Sequence, residues 1–313
     1  MRLVFLGTPR FAVPTLQALL GAGHQIPLVV TQPDRPVGRA QEMAAPPVKQ
    51  TALAAGLSVT QPEKIRHNQE FRARLEAIAP DAIVVVAYGR ILPPWMLALP
   101  RLGCINLHAS LLPKYRGAAP IQWAVAMGET VTGNTTMLLE EGLDTGPILL
   151  QRKVAIEPGQ TAAELFAVLA ERGAPLMVET LHGLADGSVT PQPQDHALAT
   201  LAPLLSREDG RMDFAALTAS ELWNRWRGFQ PWPGAFTVLD GKKLLVHRMS
   251  VADSCHDAPA DAGEMRVVDG RLRAACAQGS WLQLDELQLE GKKRMAAAEF
   301  LRGMQLQSGA RLG

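Results

Sequence analysis

One run of apolar residues, Ala82-Ile83-Val84-Val85-Val86-Ala87, constrains the fold of this chain more than any other segment. A strand that alternates apolar and polar residues leaves one face for water. This run leaves neither, so its strand must be covered on both sides, as central strands of parallel sheets are. Shorter apolar runs recur through the first 185 or so residues: Leu3–Leu6, Ile26–Val30, Cys104–His108, Thr135–Leu139 and Ile148–Val154. Between them lie segments with helical spacing: Pro14–Ala22, Val48–Ala55, Phe71–Ala79, Ile121–Met127 and Thr161–Ala185. Strands that alternate with helices predict βαβ units in a doubly wound, mostly parallel sheet.

The texture then changes. Residues 187–205 hold Pro191, Pro193 and Pro203 among polar residues and read as a linker. A helix is predicted around Ala219–Arg227. Beyond it the pattern is β. Phe236–Leu239 and Lys243–Met249 flank Asp240-Gly241; Met265–Val268 and Leu272–Ala275 flank Asp269-Gly270. Asp-Gly between apolar runs is a hairpin signal, because both turn positions need positive φ. With Trp281–Leu289 these segments predict a small β-barrel over residues 206–313, after a larger α/β domain over residues 1–186. A length of 313 residues also favours two cores over one.

The net charge is +1, and the balance is even on both sides of residue 205. A polyanionic partner would therefore be held by local patches rather than by bulk charge. Cys104, Cys255 and Cys276 are odd in number and widely spaced, which argues against a disulfide framework or a zinc knuckle and for a reducing compartment. No metal-ligand cluster stands out. No apolar stretch is long enough to span a bilayer. The expectation is a soluble, cytoplasmic protein.

Chemistry concentrates where a strand ends. In Cys104-Ile105-Asn106-Leu107-His108, Asn106 and His108 are two apart and project to the same side. They do so at the carboxyl end of the sheet, where open α/β sheets bind ligands. Ser110-Leu111-Leu112-Pro113-Lys114-Tyr115-Arg116-Gly117 follows, mixing polar and apolar groups in a loop able to wrap a flat heterocycle. Asp144 lies between Gly142 and Gly146 in a second loop. Acyl transfer to an amine needs donors for an oxyanion and a group that manages a proton near neutral pH. Asn106 can supply the first, and His108 with Asp144 the second, with His108 either a base or a charged stabiliser. By spacing alone, a structural hydrogen-bonded network remains the alternative.

The residues also carry a resemblance. Asn106-Leu107-His108-Ala109-Ser110-Leu111-Leu112-Pro113, then Tyr115-Arg116-Gly117-Ala118-Ala119-Pro120-Ile121, resembles the signature of 10-formyltetrahydrofolate-dependent formyltransferases. Gly142-Leu143-Asp144-Thr145-Gly146 resembles the aspartate motif of that family. Phe5-Leu6-Gly7-Thr8-Pro9, Thr31-Gln32-Pro33-Asp34-Arg35-Pro36, Val86-Ala87-Tyr88-Gly89 and Pro231-Trp232-Pro233 are similar to the branch acting on methionyl-tRNA. The resemblance spans nearly the whole chain. It implies a Rossmann-like catalytic domain and a C-terminal barrel similar to an oligonucleotide-binding fold. It implies Asn106, His108 and Asp144 as the catalytic trio, and 10-formyltetrahydrofolate as co-substrate lying against Ser110, Leu111, Leu112 and Pro113. Tyr88 and Arg90 are candidates to border the folate pocket. Initiator methionyl-tRNA is the implied acceptor, and a monomer the implied state.

Candidate tRNA contacts are Arg39, the pair Lys242-Lys243, and Lys292-Lys293-Arg294. Charge beside turns is otherwise simply solvated. After Arg39 the chain reads Ala40-Gln41-Glu42-Met43, where the family continues with basic residues. Fewer neutralised phosphates imply a shallower salt dependence of tRNA binding. Trp223 and Trp226, at i, i+3 spacing, read as core rather than as base-stacking aromatics. The competing functions are hydrolysis of the formyl donor and formylation of a small amine such as an amino sugar.

Overall fold

The computed structural model describes residues 1–38, 41–253, 260–303 and 310–313. Arg39 and Cys255 lie outside the described residues. The chain forms two compact units. The first takes Met1–Pro120, Val131–Ala155 and Glu164–Pro203; the second takes Ile121–Thr130, Ile156–Ala163 and Leu204–Gly313.

In chain order the first half forms β1 (Arg2–Gly7), α1 (Val13–Gly21), β2 (Gln25–Val30), β3 (Arg35–Val37), β4 (Glu42–Ala44), α2 (Pro47–Ala54), β5 (Val59–Thr60), α3 (Gln69–Ile78), β6 (Ala82–Val86), α4 (Pro94–Leu97) and β7 (Cys104–His108). Then come α5 (Pro120–Ala126), β8 (Val131–Leu138), β9 (Ile148–Ala155) and α6 (Ala162–Asp186). The seven-stranded sheet of the first unit runs β5-β2-β1-β6-β7-β8-β9. Every residue of β6 is buried, and β6 lies between β1 and β7, parallel to both. That is the central position its composition demands. The strand stops one residue before the apolar run does, because Ala87 turns into the left-handed region at φ 47°.

The last two strands depart from the parallel pattern. β8 is antiparallel to β7, and β9 to β8. Residues 139–147 are too few for the crossover that a parallel β8–β9 pair would need. The β3–β4 hairpin falls in a stretch of sequence with no periodicity to reveal it. α3 is capped by Asn68, whose side chain accepts from the Phe71 N–H at 2.9 Å. α6 closes one face of the sheet. A Cβ at Gly173 would stand 2.6 Å from Leu107 Cδ2, so this helix approaches β7 only with glycine there.

The second unit continues with α7 (Ala219–Gly228), β10 (Phe236–Leu239), β11 (Lys242–Val251), β12 (Met265–Val268), β13 (Arg271–Ala275), β14 (Trp281–Leu289), β15 (Met295–Ala296) and α8 (Ala297–Gly303). Its strands are antiparallel in the order β10-β11-β14-β13-β12, with β15 beside β14. The expected barrel takes the form of a half-barrel: among the described residues no pairing joins β10 to β12. Both Asp-Gly turns are as the sequence requires, with Asp240 and Gly241 at φ 48° and 73°, and Asp269 and Gly270 at 51° and 72°. Leu244, Val246, Leu272, Leu282, Leu284 and Leu287 form the centre of its core, and Trp223 and Trp226 pack against it.

Candidate active site

β7 sets the geometry. Leu107 faces α6, so Asn106 and His108 share the opposite face. Both are buried, at 9% and 6% exposure. Antiparallel pairing puts Met137 opposite Asn106 and Thr135 opposite His108. His108 Nδ1 lies 3.6 Å from Asp144 Oδ2, and Nε2 lies 2.9 Å from the Tyr115 carbonyl oxygen. Residues expected to act together from two distant segments therefore meet. Among the described residues nothing hydrogen-bonds the side-chain amide of Asn106, which leaves its N–H groups available beside His108.

Two backbone positions around His108 are held against local preference. Tyr115 and Asp144, which supply the oxygens facing the two ring nitrogens, have φ of 61° and 52°. Non-glycine residues in that region cost on the order of 1 kcal/mol each and persist where their surroundings hold them. The Asp144 carboxylate also accepts from the Gly117 N–H at 2.9 Å. Gly117 is at φ 121°, and a Cβ there would stand 2.7 Å from the Ala202 carbonyl oxygen. Glycine is required on both counts.

The Ser110–Pro113 loop is fixed from below by β8 and β9. Thr135 Oγ1 donates to the Ser110 carbonyl at 2.6 Å and accepts from Leu112 N–H at 3.1 Å. Gln151 Nε2 donates to the Leu112 carbonyl at 2.8 Å and to Thr135 Oγ1 at 2.9 Å. Ser110 is fully buried and donates to the Lys114 carbonyl, while Leu111 and Pro113 stay half-buried.

Sequence reasoning missed Gln194. It lies in the proline-rich stretch, where an isolated glutamine gives no signal. That stretch runs along the first unit: Gln192 pairs with Ile148, and Thr200 and Ala202 exchange backbone hydrogen bonds with Arg116. Gln194 Nε2 donates to the carbonyls of Asp144 (2.9 Å) and Gly146 (2.7 Å). Its Oε1 accepts from Arg116 Nε (3.1 Å) and Nη2 (2.6 Å).

The remaining candidates follow β6, whose Val85 pairs with Asn106, or belong to the second unit. Tyr88 packs in the apolar core with Leu28, Val30 and Val85, and burial pushes its phenol up. Arg90 donates to Gln32 Oε1 at 3.0 Å and to the carbonyls of Pro62 and Glu63, while Gln32 holds the Tyr88 carbonyl. The side chains of Arg90 and Gln32 thus order the chain at the end of β6. In the second unit the basic clusters come together, because the Glu290 N–H binds the Lys243 carbonyl. Lys242, Lys243, Lys292 and Lys293 are exposed, with Lys243 Nζ 3.7 Å over the Phe236 ring. Arg294 is paired with Glu286.

Comparison with known proteins bears on the whole chain. A methionyl-tRNA formyltransferase of Acidobacterium capsulatum is 69% identical over 313 residues, covering all of both chains. One from Koribacter versatilis is 56% identical, covering all of this chain and 99% of its own. Among solved structures, an N-formyltransferase from Helicobacter canadensis, in complex with folinic acid and dTDP-3-aminofucose, has the same fold. Its TM-score is 0.67 at 17% identity, covering 90% of this chain and 98% of its own. Residues 1–181 match the formyl transferase family and residues 204–305 its C-terminal domain, so this chain belongs to the formyl transferase family.

Proposed function

We propose that this protein moves a formyl group from 10-formyltetrahydrofolate to the α-amino group of initiator methionyl-tRNA, for translation initiation in the cytoplasm. The observation that carries the reading is the meeting of His108 and Asp144 at 3.6 Å beside the unengaged Asn106 amide. The end-to-end likeness to proteins of that activity supports methionyl-tRNA as acceptor. In this reading residues 1–186 do the chemistry, residues 206–313 contribute tRNA contacts, and residues 187–205 connect them in a monomer.

The amine nitrogen attacks the formyl carbon. Charge builds on the formyl oxygen as the new C–N bond forms. The bond from that carbon to the folate nitrogen then breaks, and a proton passes from the amine to the leaving nitrogen. Asn106 donates to the developing oxyanion. Both nitrogens of His108 face oxygens, the Tyr115 carbonyl and the Asp144 carboxylate. A carbonyl only accepts, so Nε2 is the donor to Tyr115 and Nδ1 is the nitrogen turned toward Asp144. We assign His108, held between the Tyr115 carbonyl and Asp144, the role of stabilising the developing charge, and Asp144 that of its partner and proton acceptor. Folate lies against the loop that Thr135 and Gln151 hold, with Leu111 and Pro113 partly open to it.

The test supplies 10-formyltetrahydrofolate with charged initiator tRNA, an amino sugar nucleotide, or no acceptor. Formyl-methionine formed only with tRNA is the expected result. Formate release without formylated product overturns it in favour of a hydrolase.

A further inference from the structure

We propose that Gln194 is a positioning residue for formyl transfer, acting through the Asp144 loop. The inference rests on the reading of His108 and Asp144 given above. Gln194 is 6% exposed, and every polar atom of its side chain is engaged. Its two N–H hydrogens go to the carbonyls of Asp144 and Gly146, either side of Thr145. Its oxygen takes two hydrogen bonds from the Arg116 guanidinium.

The connection matters because Asp144 is strained. At φ 52° its backbone leaves the common basins, and a flexible loop would let it relax. The amide of Gln194 grips the carbonyl of that same residue, so rotation there breaks a buried hydrogen bond. The other end of the amide is fixed to Arg116, the residue between Tyr115 and Gly117. Tyr115 supplies the carbonyl on His108 Nε2, and Gly117 the N–H on the Asp144 carboxylate. One side chain thus ties together both loops that flank His108.

Arg116 strengthens the tie. It is 7% exposed, and among the described residues no carboxylate pairs with it. Its partners are the Gln194 oxygen and His196 Nδ1, which accepts from Nη1 at 3.2 Å. A buried cation on the oxygen of an amide polarises it, which makes the amide hydrogens better donors. A glutamate at 194 would keep Arg116 satisfied and lose both donors to the Asp144 loop.

The test compares Gln194→Ala, Gln194→Glu, Asp144→Asn and the double variant Gln194→Ala/Asp144→Asn in formyl transfer to methionyl-tRNA. Both Gln194 variants should lose about 100-fold in kcat, the scale of a small misplacement of reacting groups, with KM for the formyl donor changed by less than about threefold. The double variant should be no slower than Asp144→Asn alone, because both changes remove one function. Losses that multiply would overturn the proposal, as would wild-type kcat in Gln194→Glu. Gln194→Glu retains the Arg116 contact, so it carries the test if the alanine variant fails to fold. Unchanged transfer by Asp144→Asn would instead defeat the underlying reading of the site.

Discussion

At the scale of single residues, burial sorts the reactive groups of this chain. The thiols of Cys104 and Cys276 are both pushed up to about 12, chiefly by burial. A thiol alkylates as its thiolate, so neither should react in the native protein at neutral pH. Iodoacetamide labelling followed by peptide mass spectrometry checks this: Cys104 and Cys276 should label only after denaturation, and labelling of either in native protein contradicts the burial. Asn106 is the opposite case, a buried polar side chain that no described residue engages. Asn106→Ala should lower kcat by about 100- to 1000-fold, the cost of one oxyanion donor. A loss below tenfold in steady-state transfer would remove Asn106 from that role. Strand periodicity placed Asn106 and His108 on one side in the sequence, and only the motif resemblance linked Asp144 to them. Tyr115 and Gln194 were not legible there, since one acts through its backbone carbonyl and the other through a fold-dependent meeting with Asp144.

Elements show which local signals determine structure unaided. The capping box at α7 joins Thr218 and Glu221 in both directions, and two hydrogen bonds from Thr218 hold the Glu221 carboxyl below its ordinary range. A carboxyl depressed by folding stabilises the fold above its unfolded pKa, and that contribution is lost as pH falls through the folded value. Thr218→Ala should therefore cost about 1 kcal/mol at pH 7 and less below the carboxylate range. Urea midpoints followed by tryptophan fluorescence at both pH values check it; an equal deficit at acid pH would contradict the role of the carboxylate. Gly133 in β8 makes a different demand. A Cβ there would stand 2.2 Å from the Arg152 carbonyl oxygen and 2.6 Å from Leu111 Cδ2. Gly133→Ala should lower the melting temperature and slow transfer, since Leu111 belongs to the loop after His108; a melting curve and an activity assay matching wild type would contradict that close approach. Helices, the central strand and the Asp-Gly hairpins were readable from periodicity and turn chemistry. The antiparallel direction of β8 and β9 was not, because the same apolar runs suit either direction.

For the whole molecule, the even charge balance directs attention to local patches. Lys242, Lys243, Lys292 and Lys293 are far apart in sequence, yet pairing of β11 with β14 gathers them at one end of the half-barrel. If they contact tRNA phosphates, each substitution by alanine should reduce the salt slope of tRNA binding by about one. A slope unchanged in the fourfold variant would mark them as solvated charge. Among the described residues no helix is long and apolar enough to cross a membrane. The central claim, that Asn106, His108 and Asp144 form one site that formylates methionyl-tRNA, meets its most direct test in His108→Ala. The measurement is single-turnover formyl transfer to methionyl-tRNA, with tRNA affinity measured in parallel. The expected result is a rate lower by about 1000-fold or more with affinity little changed. Transfer at the wild-type rate would contradict the account.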